Sequence, residues 1–347
     1  MTVNKHRTSA EKPMCKPLFA FFHNQCIPQP PDYVAASAVY ITLAHKSTAM
    51  RPSVFRIDPN GANPNNGRVV WSPAKSIWNN AMLLLSVLVA PFYISISAVF
   101  LFLTLTYGTL LFGHSVGMHR AFIHRSLRCE KWLERLLIYL GVLVGMAGPF
   151  GILKIHDIRD WAQREPSCHD FFSHRSSFLV DAFWQLNCRF EFEKPPRFEI
   201  EPSTISDPWY RFLEQTWMLQ QLPLAILLYY FGGLPWVLWG VCVRVFVSNF
   251  AHWTVTYVTH NPGPGNWFVK EAGVQASNLN GFGFISMGEC WHNNHHAFPE
   301  SAQIGLYKGE TDPGWLVIQF LDKLGFVKHI GVPRGNAERE DLLHSAN

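Results

Sequence analysis

The stretch "SIWNNAMLLLSVLVAPFYISISAVFLFLTLTYGTLLFGHSVGMH" (residues 76–119) runs for 44 residues without a Lys, Arg, Asp or Glu. A bilayer crossing takes about 20 apolar residues, so this stretch predicts two crossings joined by a bend near Pro91–Ser97. A second uncharged run, Gln215–Val243, carries the turn signal "FGGLP" (Phe231–Pro235). It continues apolar through Arg244 to His252, which predicts another helical hairpin. Composition agrees. The chain is 48% hydrophobic and only 16% charged, against about 25% charged in ordinary soluble domains. A net charge of +4 over 347 residues is too small to argue for a nucleic-acid partner.

The apolar stretch "LLIYLGVLVGMAGPFGIL" (136–153) is long enough to cross but carries Gly141, Gly145, Gly148, Pro149 and Gly151. A crossing there would separate the histidines before it from those near the C-terminus, so it reads as an interfacial or re-entrant segment. Four crossings then leave all 29 Lys and Arg on one face, which the positive-inside rule makes cytoplasmic. The expected fold is an all-α, multi-pass integral membrane protein. Its four transmembrane helices form two hairpins, and a cytosolic helical cap holds the polar chemistry. Residues 1–66 are polar and Pro/Asn-rich, with no apolar h-region, and read as a flexible tail. Residues 67–330 read as the membrane domain and 331–347 as a polar tail. Seven cysteines, without CxxC spacing, read as free thiols facing a reducing compartment.

Of the sixteen histidines, His6, His23, His45, His329 and His344 lie in tails or far from any cluster and read as bystanders. The other eleven sit at the ends of predicted crossings or between them. "GECWHNNHHAFPES" (288–301) places His292, His295 and His296 at i, i+3 and i+4, which share one helical face. Imidazole suits iron, zinc, copper and nickel. "GHSVGMHRAFIHRS" (113–126) holds His119 and His124 as HxxxxH directly after the second crossing. Five residues turn an α-helix by about 500°, so these two need a helix end or must ligate from different sides. His114 reads as packing within the membrane.

HxxxxH after one hairpin, followed by GExxHNxHHxFP after another, resembles the histidine-box, membrane-bound fatty acid desaturases, in particular their acyl-CoA desaturase branch. The likeness includes His119-Arg120, His124-Arg125 and "LGFV" (324–327), and covers about residues 67–330. It implies a di-iron centre on histidine ligands that uses O2 to remove two hydrogens from an acyl chain. The middle of the chain departs from the family, which usually carries HxxHH after Arg-Asp. Here "KIHDIRDWAQREPSCHDFFSHRSS" keeps Arg159-Asp160 but has Trp161, Arg164 and Glu165 where that box would supply histidines. His156, His169 and His174 are the nearby alternatives, with His156 preferred. "SNFAHWTVTYVTHNPG" (248–263) offers His252, at the family's place after the last crossing but with Asn249 shifted by one, and an extra His260. These two lie about 12 Å apart along a continuous helix, so they bind one metal only if the helix breaks near Thr259. The expected ligands are therefore His119, His124, His156, His252, His260, His292, His295 and His296. Asp157, Asp160, Asn249 and Glu289 are expected around them, because ligating imidazoles usually give their other N–H to an acceptor.

A hydrocarbon offers a side-chain base no acidic proton, so metal and O2 must supply the oxidant, and the protein supplies positioning and a dry cavity. Arg120, Arg125 and Arg189, with Arg128, Lys131, Arg135 and Arg197, are candidates for binding substrate phosphates. No GxGxxG, CxxC or fused haem segment occurs, which implies an external electron donor of the cytochrome b5, ferredoxin or rubredoxin type. Two alternatives stay open. One is a lipid or carotenoid hydroxylase of the same histidine-rich class. The other is a catalytically silent membrane partner or metal-binding regulator, if the altered middle box no longer holds iron. A transporter is disfavoured by crossings with almost no ionisable groups beyond Arg244 and terminal histidines. A ferritin-like site would need two Glu-x-x-His pairs, and the chain offers one, Glu289 to His292.

Overall fold

The computed structural model describes residues 56–333 and 340–344. Most of the expected N-terminal tail, with His6, His23 and His45, lies outside the described residues. Three helical runs are long and apolar enough to cross a membrane: Pro73–Tyr93, Ile96–Ile123 and Gln221–Thr259. The first opens with α1 (Pro73–Leu84), whose Pro73 occupies the first turn, where a missing N–H goes unnoticed. It ends at Tyr93. After extended Ile94, the Ser95 hydroxyl accepts from Ala98 N–H at 3.2 Å and starts α2 (Ile96–Gly108). The bend therefore falls within the expected Pro91–Ser97. α2 runs on into a π-helix, Thr109–Ile123. Around the bend Phe92 is 85% and Ile96 92% exposed, an apolar surface suited to lipid rather than water.

The expected interfacial stretch 136–153 belongs to no crossing-length helix among the described residues. Instead α3 (Lys131–Leu143) lies along the π-helix so closely that a Cβ on Gly113 would meet the Leu140 and Gly141 backbone at 2.3 Å. The chain breaks at Gly145 (φ +85°) and resumes as α4 (Pro149–Arg164). Next come α5 (Asp170–Ser173), α6 (Phe178–Asn187), α7 (Pro202–Ile205) and α8 (Pro208–Thr216). The π-helix, α3, α4 and α8 share a buried core through Phe122, Ile138, Val142, Leu153, Tyr210 and Leu213. Fully burying each aliphatic chain there stabilises by about 1.5–3 kcal/mol.

The third apolar run holds α9 (Gln221–Val237) and α10 (Arg244–Thr259), joined through Leu238–Val243. As one straight helix its 39 residues would span about 59 Å, roughly twice the hydrocarbon core. It is not straight. Gly233 adopts φ +64°, ψ −159°, which glycine tolerates and other residues rarely do. The run is kinked there, and residues on either side of the kink meet: the Gln221 carboxamide accepts from buried Arg244, and Leu228 packs on Gly240. Short α11 (His292–Ala297) and α12 (Pro313–Lys323) complete the helices.

Among the described residues, four two-stranded antiparallel ribbons tie the polar segments together. β1 (Ile57–Asp58) pairs with β5 (Arg197–Phe198), and β2 (Gly67–Trp71) with β4 (Cys188–Phe192). β3 (Arg128–Cys129) pairs with β7 (Val327–Lys328), and β6 (Trp267–Val269) with β8 (Leu342–His344). Arg56 is buried between Asp157 and Glu201, at 3.0 and 2.9 Å. At the other end Leu342 is buried, and His344 meets Trp267 edge-on with ring centroids 4.7 Å apart. These contacts are long-range in sequence, so composition alone made both segments look solvated.

Candidate metal centre

The first histidine group grows out of the π-helix. In a helix closed by i→i+5 hydrogen bonds, residues five apart nearly superimpose. The His124 N–H donates to the His119 carbonyl at 3.0 Å in that pattern. His114, His119 and His124 consequently form one line, with consecutive ring centroids 6.3 and 4.8 Å apart. The HxxxxH spacing, which fails to share a face on an α-helix, fits this wider turn. From α4, His156 brings Nε2 to 3.3 Å from His124 Nε2. From α11, His295 places its ring 4.5 Å from both His119 and His124. His119, His124, His156 and His295 each offer one ring nitrogen within 4.8 Å of the others.

The second group is His260, His292 and His296, gathered within the same 4.8 Å limit. The three-histidine turn therefore splits. His292 and His296, at i and i+4, face this group with Nε2 atoms 3.1 Å apart, while His295 faces the other. α10 ends at Thr259, and His260 caps it with Nδ1 2.8 Å from the Thr256 carbonyl. That bond fixes Nδ1 as the protonated nitrogen and leaves the Nε2 lone pair buried without a hydrogen-bond partner among the described residues. Two ring nitrogens bound to one ion at about 2.1 Å sit about 3.0–3.4 Å apart. The 3.1 and 3.3 Å separations fit a metal in each group.

Charge around the groups follows the same division. Burial, reinforced by the neighbouring imidazoles, pushes His124, His260, His292 and His295 well below the ordinary imidazole value. Burial also lowers His296, to about 4, against the pull of Asp160. Neutral imidazole is the form that binds metal. His156 differs: burial opposes its charge, but Asp160 and Asp157 outweigh burial and raise it. Its Nδ1 lies 3.5 Å from Asp157 and 3.6 Å from Asp160. Glu289 approaches His119 Nδ1 at 2.7 Å and accepts from the Ser115 hydroxyl. Burial opposes ionisation of Glu289, yet His119 and Arg120 hold its carboxyl below the usual range.

The fatty acid desaturase profile matches residues 94–304, a span that contains every histidine of both groups. The chain belongs to the fatty acid desaturase family. An acyl-CoA 5-desaturase of Anemone leveillei is 33% identical over 250 residues, covering 70% of this chain and 75% of its own. A Synechocystis sn-1 stearoyl-lipid 9-desaturase is 34% identical over 226 residues, 64% of this chain and 68% of that one. A chloroplastic palmitoyl-monogalactosyldiacylglycerol delta-7 desaturase of Arabidopsis thaliana is 33% identical over 275 residues, 77% and 70% respectively.

Not every expected residue of this desaturase joins the groups. His252 lies in neither; its ring instead meets His114 edge-on at 4.6 Å, because two unbroken turns of α10 separate it from His260. Asn249 donates to Asn79 Oδ1 at 2.9 Å and to the Gly145 carbonyl at 3.2 Å, so it braces helices rather than imidazoles. His169 caps α5 and packs against Phe190 with the ring planes tilted. Arg120 is 1% exposed and hydrogen-bonds Asp312 at 2.8 Å, which removes it from the candidates for substrate phosphates. Arg125 is half-buried and donates to Thr204 Oγ1 at 2.8 Å, whereas Arg189 is exposed beside Glu191 at 2.7 Å. Sequence reasoning missed Arg56, Ser115 and Asp312. No local spacing marks them, since each partner lies more than a hundred residues away.

Proposed function

We propose that this enzyme carries out O2-dependent desaturation of a fatty acyl chain at a di-iron centre formed by the two histidine groups. The observation that carries the reading is the pairing of half-buried Nε2 atoms 3.1 and 3.3 Å apart in two histidine clusters. When bound there, two irons supply the oxidant that O2 makes possible and that no side-chain acid or base can replace. The chain's own residues do the rest. Glu289 holds the His119 ring, Asp157 and Asp160 hold His156, and the Thr256 carbonyl fixes the His260 tautomer. Arg56 anchors Asp157 from the opposite side, and Arg120 ties the π-helix to Asp312 beside α12.

We read the run broken at Gly233 as two crossings, which makes four in two hairpins, with both groups at the cytoplasmic face. The short bends at Tyr93–Ile96 and Phe231–Pro235 carry no Lys or Arg, in keeping with the positive-inside rule. The substrate is an acyl-CoA or acyl-lipid, as the relatives' names suggest. Arg125 and Arg189 are the remaining candidates of the original three for contact with its head group. Electrons come from an external donor of the cytochrome b5, ferredoxin or rubredoxin type. The test is to supply detergent-purified enzyme with O2, a reduced donor and either stearoyl-CoA or a stearoyl lipid. An acyl product two hydrogens lighter, absent without O2, is expected. An oxygenated product would replace desaturation with hydroxylation, and no product with both metals bound would favour the silent-partner reading.

A further inference from the structure

We propose that His174 is a further metal ligand that completes the group of His260, His292 and His296, with Asp181 as its positioning residue; this rests on the di-metal reading above. The first group has four imidazoles and the second three. Just outside those three, His174 lies 1% exposed with its ring stacked on that of His260, centroids 5.3 Å apart and planes 30° from parallel. His174 Nδ1 lies 3.0 Å from Asp181 Oδ1. Asp181 is itself fully buried and also accepts from Trp253 Nε1–H at 2.7 Å.

With Nδ1–H given to the carboxylate, the lone pair of His174 resides on Nε2. That nitrogen is buried and has no hydrogen-bond partner among the described residues. His260 shows the same arrangement, with Nδ1 on an acceptor and Nε2 bare. A core histidine with a purely structural task would satisfy both nitrogens. A histidine oriented by a carboxylate through one nitrogen and bare at the other is the usual form of a metal ligand with its supporting acceptor. The backbone is committed as well. His174 adopts a left-handed φ of +55°, and its carbonyl accepts from Asn261, the residue after His260, at 2.9 Å. The chain has thus replaced a ligand missing from the altered middle stretch with one ten residues further on than Arg164.

The test uses the full chain in detergent, stripped and titrated with Fe(II) or Co(II), reading metal per chain and the affinity of each site. His174→Ala is expected to weaken one of two sites by at least the 10–100-fold seen for supporting groups, or to abolish it. His169→Ala, in the adjoining loop, should leave both sites intact. Two sites of unchanged affinity in His174→Ala would overturn the proposal while leaving the di-metal reading standing. Fewer than two sites in the parent would instead overturn that reading. Should His174→Ala fail to fold, His174→Cys loaded with Co(II) decides: a new thiolate-to-cobalt absorption band, absent from the parent, supports ligation. A folded cobalt form without that band refutes it.

Discussion

In the first group Glu289 approaches His119, and Asp157 and Asp160 approach His156, whereas in the second His260 is steered by a main-chain carbonyl. The first group also draws on three separated segments, the π-helix, α4 and α11, while the second joins the end of α10 to α11. The contrast teaches where each site is vulnerable. A group oriented by side chains can be detuned by single substitutions around it. A group oriented by backbone yields mainly to loss of the ligands themselves.

Removing a ligand should have the largest effect. His295→Ala is expected to empty the first group, leaving about one metal per chain and no measurable desaturation; two metals retained would break the division between the groups. Arg120→Ala comes next, and acts on stability. It abandons Asp312, 3% exposed, in a buried pair, a change that costs about 3–5 kcal/mol. Thermal unfolding of the stripped protein should report that loss, and an unchanged midpoint would mean that the pair does not support the site. Glu289→Gln should weaken the first metal by about 10–100-fold and spare the second, read by titration of the stripped protein with Fe(II).

A further expected effect is on pH. His124, His260, His292, His295 and His296 have values below the ordinary one, His296 near 4. As pH falls through about 6.5 the unfolded chain takes up protons that the folded chain refuses. The metal-free protein should therefore lose stability between about pH 6.5 and 4. His156, whose value is raised, works in the opposite direction. A midpoint that held steady across this window would contradict the neutral, buried state assigned to these rings.

Much of this was readable in the sequence where the physics is local. Uncharged length announced the apolar runs, and the bend at Pro91–Ser97 and the turn at Phe231–Pro235 carried their own breakers. Five histidines of the first and last boxes stood out by spacing, but their distribution did not. α-Helical periodicity cannot foresee a π-helix, so the alignment of His114, His119 and His124 was invisible. The split of His295 from His292 and His296 depends on which elements pack on the two sides of α11. His252 looked as suitable as His260 until the continuity of α10 separated them. Arg56 and Asp312 act through partners more than a hundred residues away, and no motif advertises them.

The most direct measurement is iron per chain in the detergent-purified, full-length protein reconstituted anaerobically with Fe(II). Two irons per chain, falling to one on loss of His295 and to one on loss of His260, are predicted. A single iron in the parent, or one lost only when both histidines are removed, would contradict the account of two separate histidine groups.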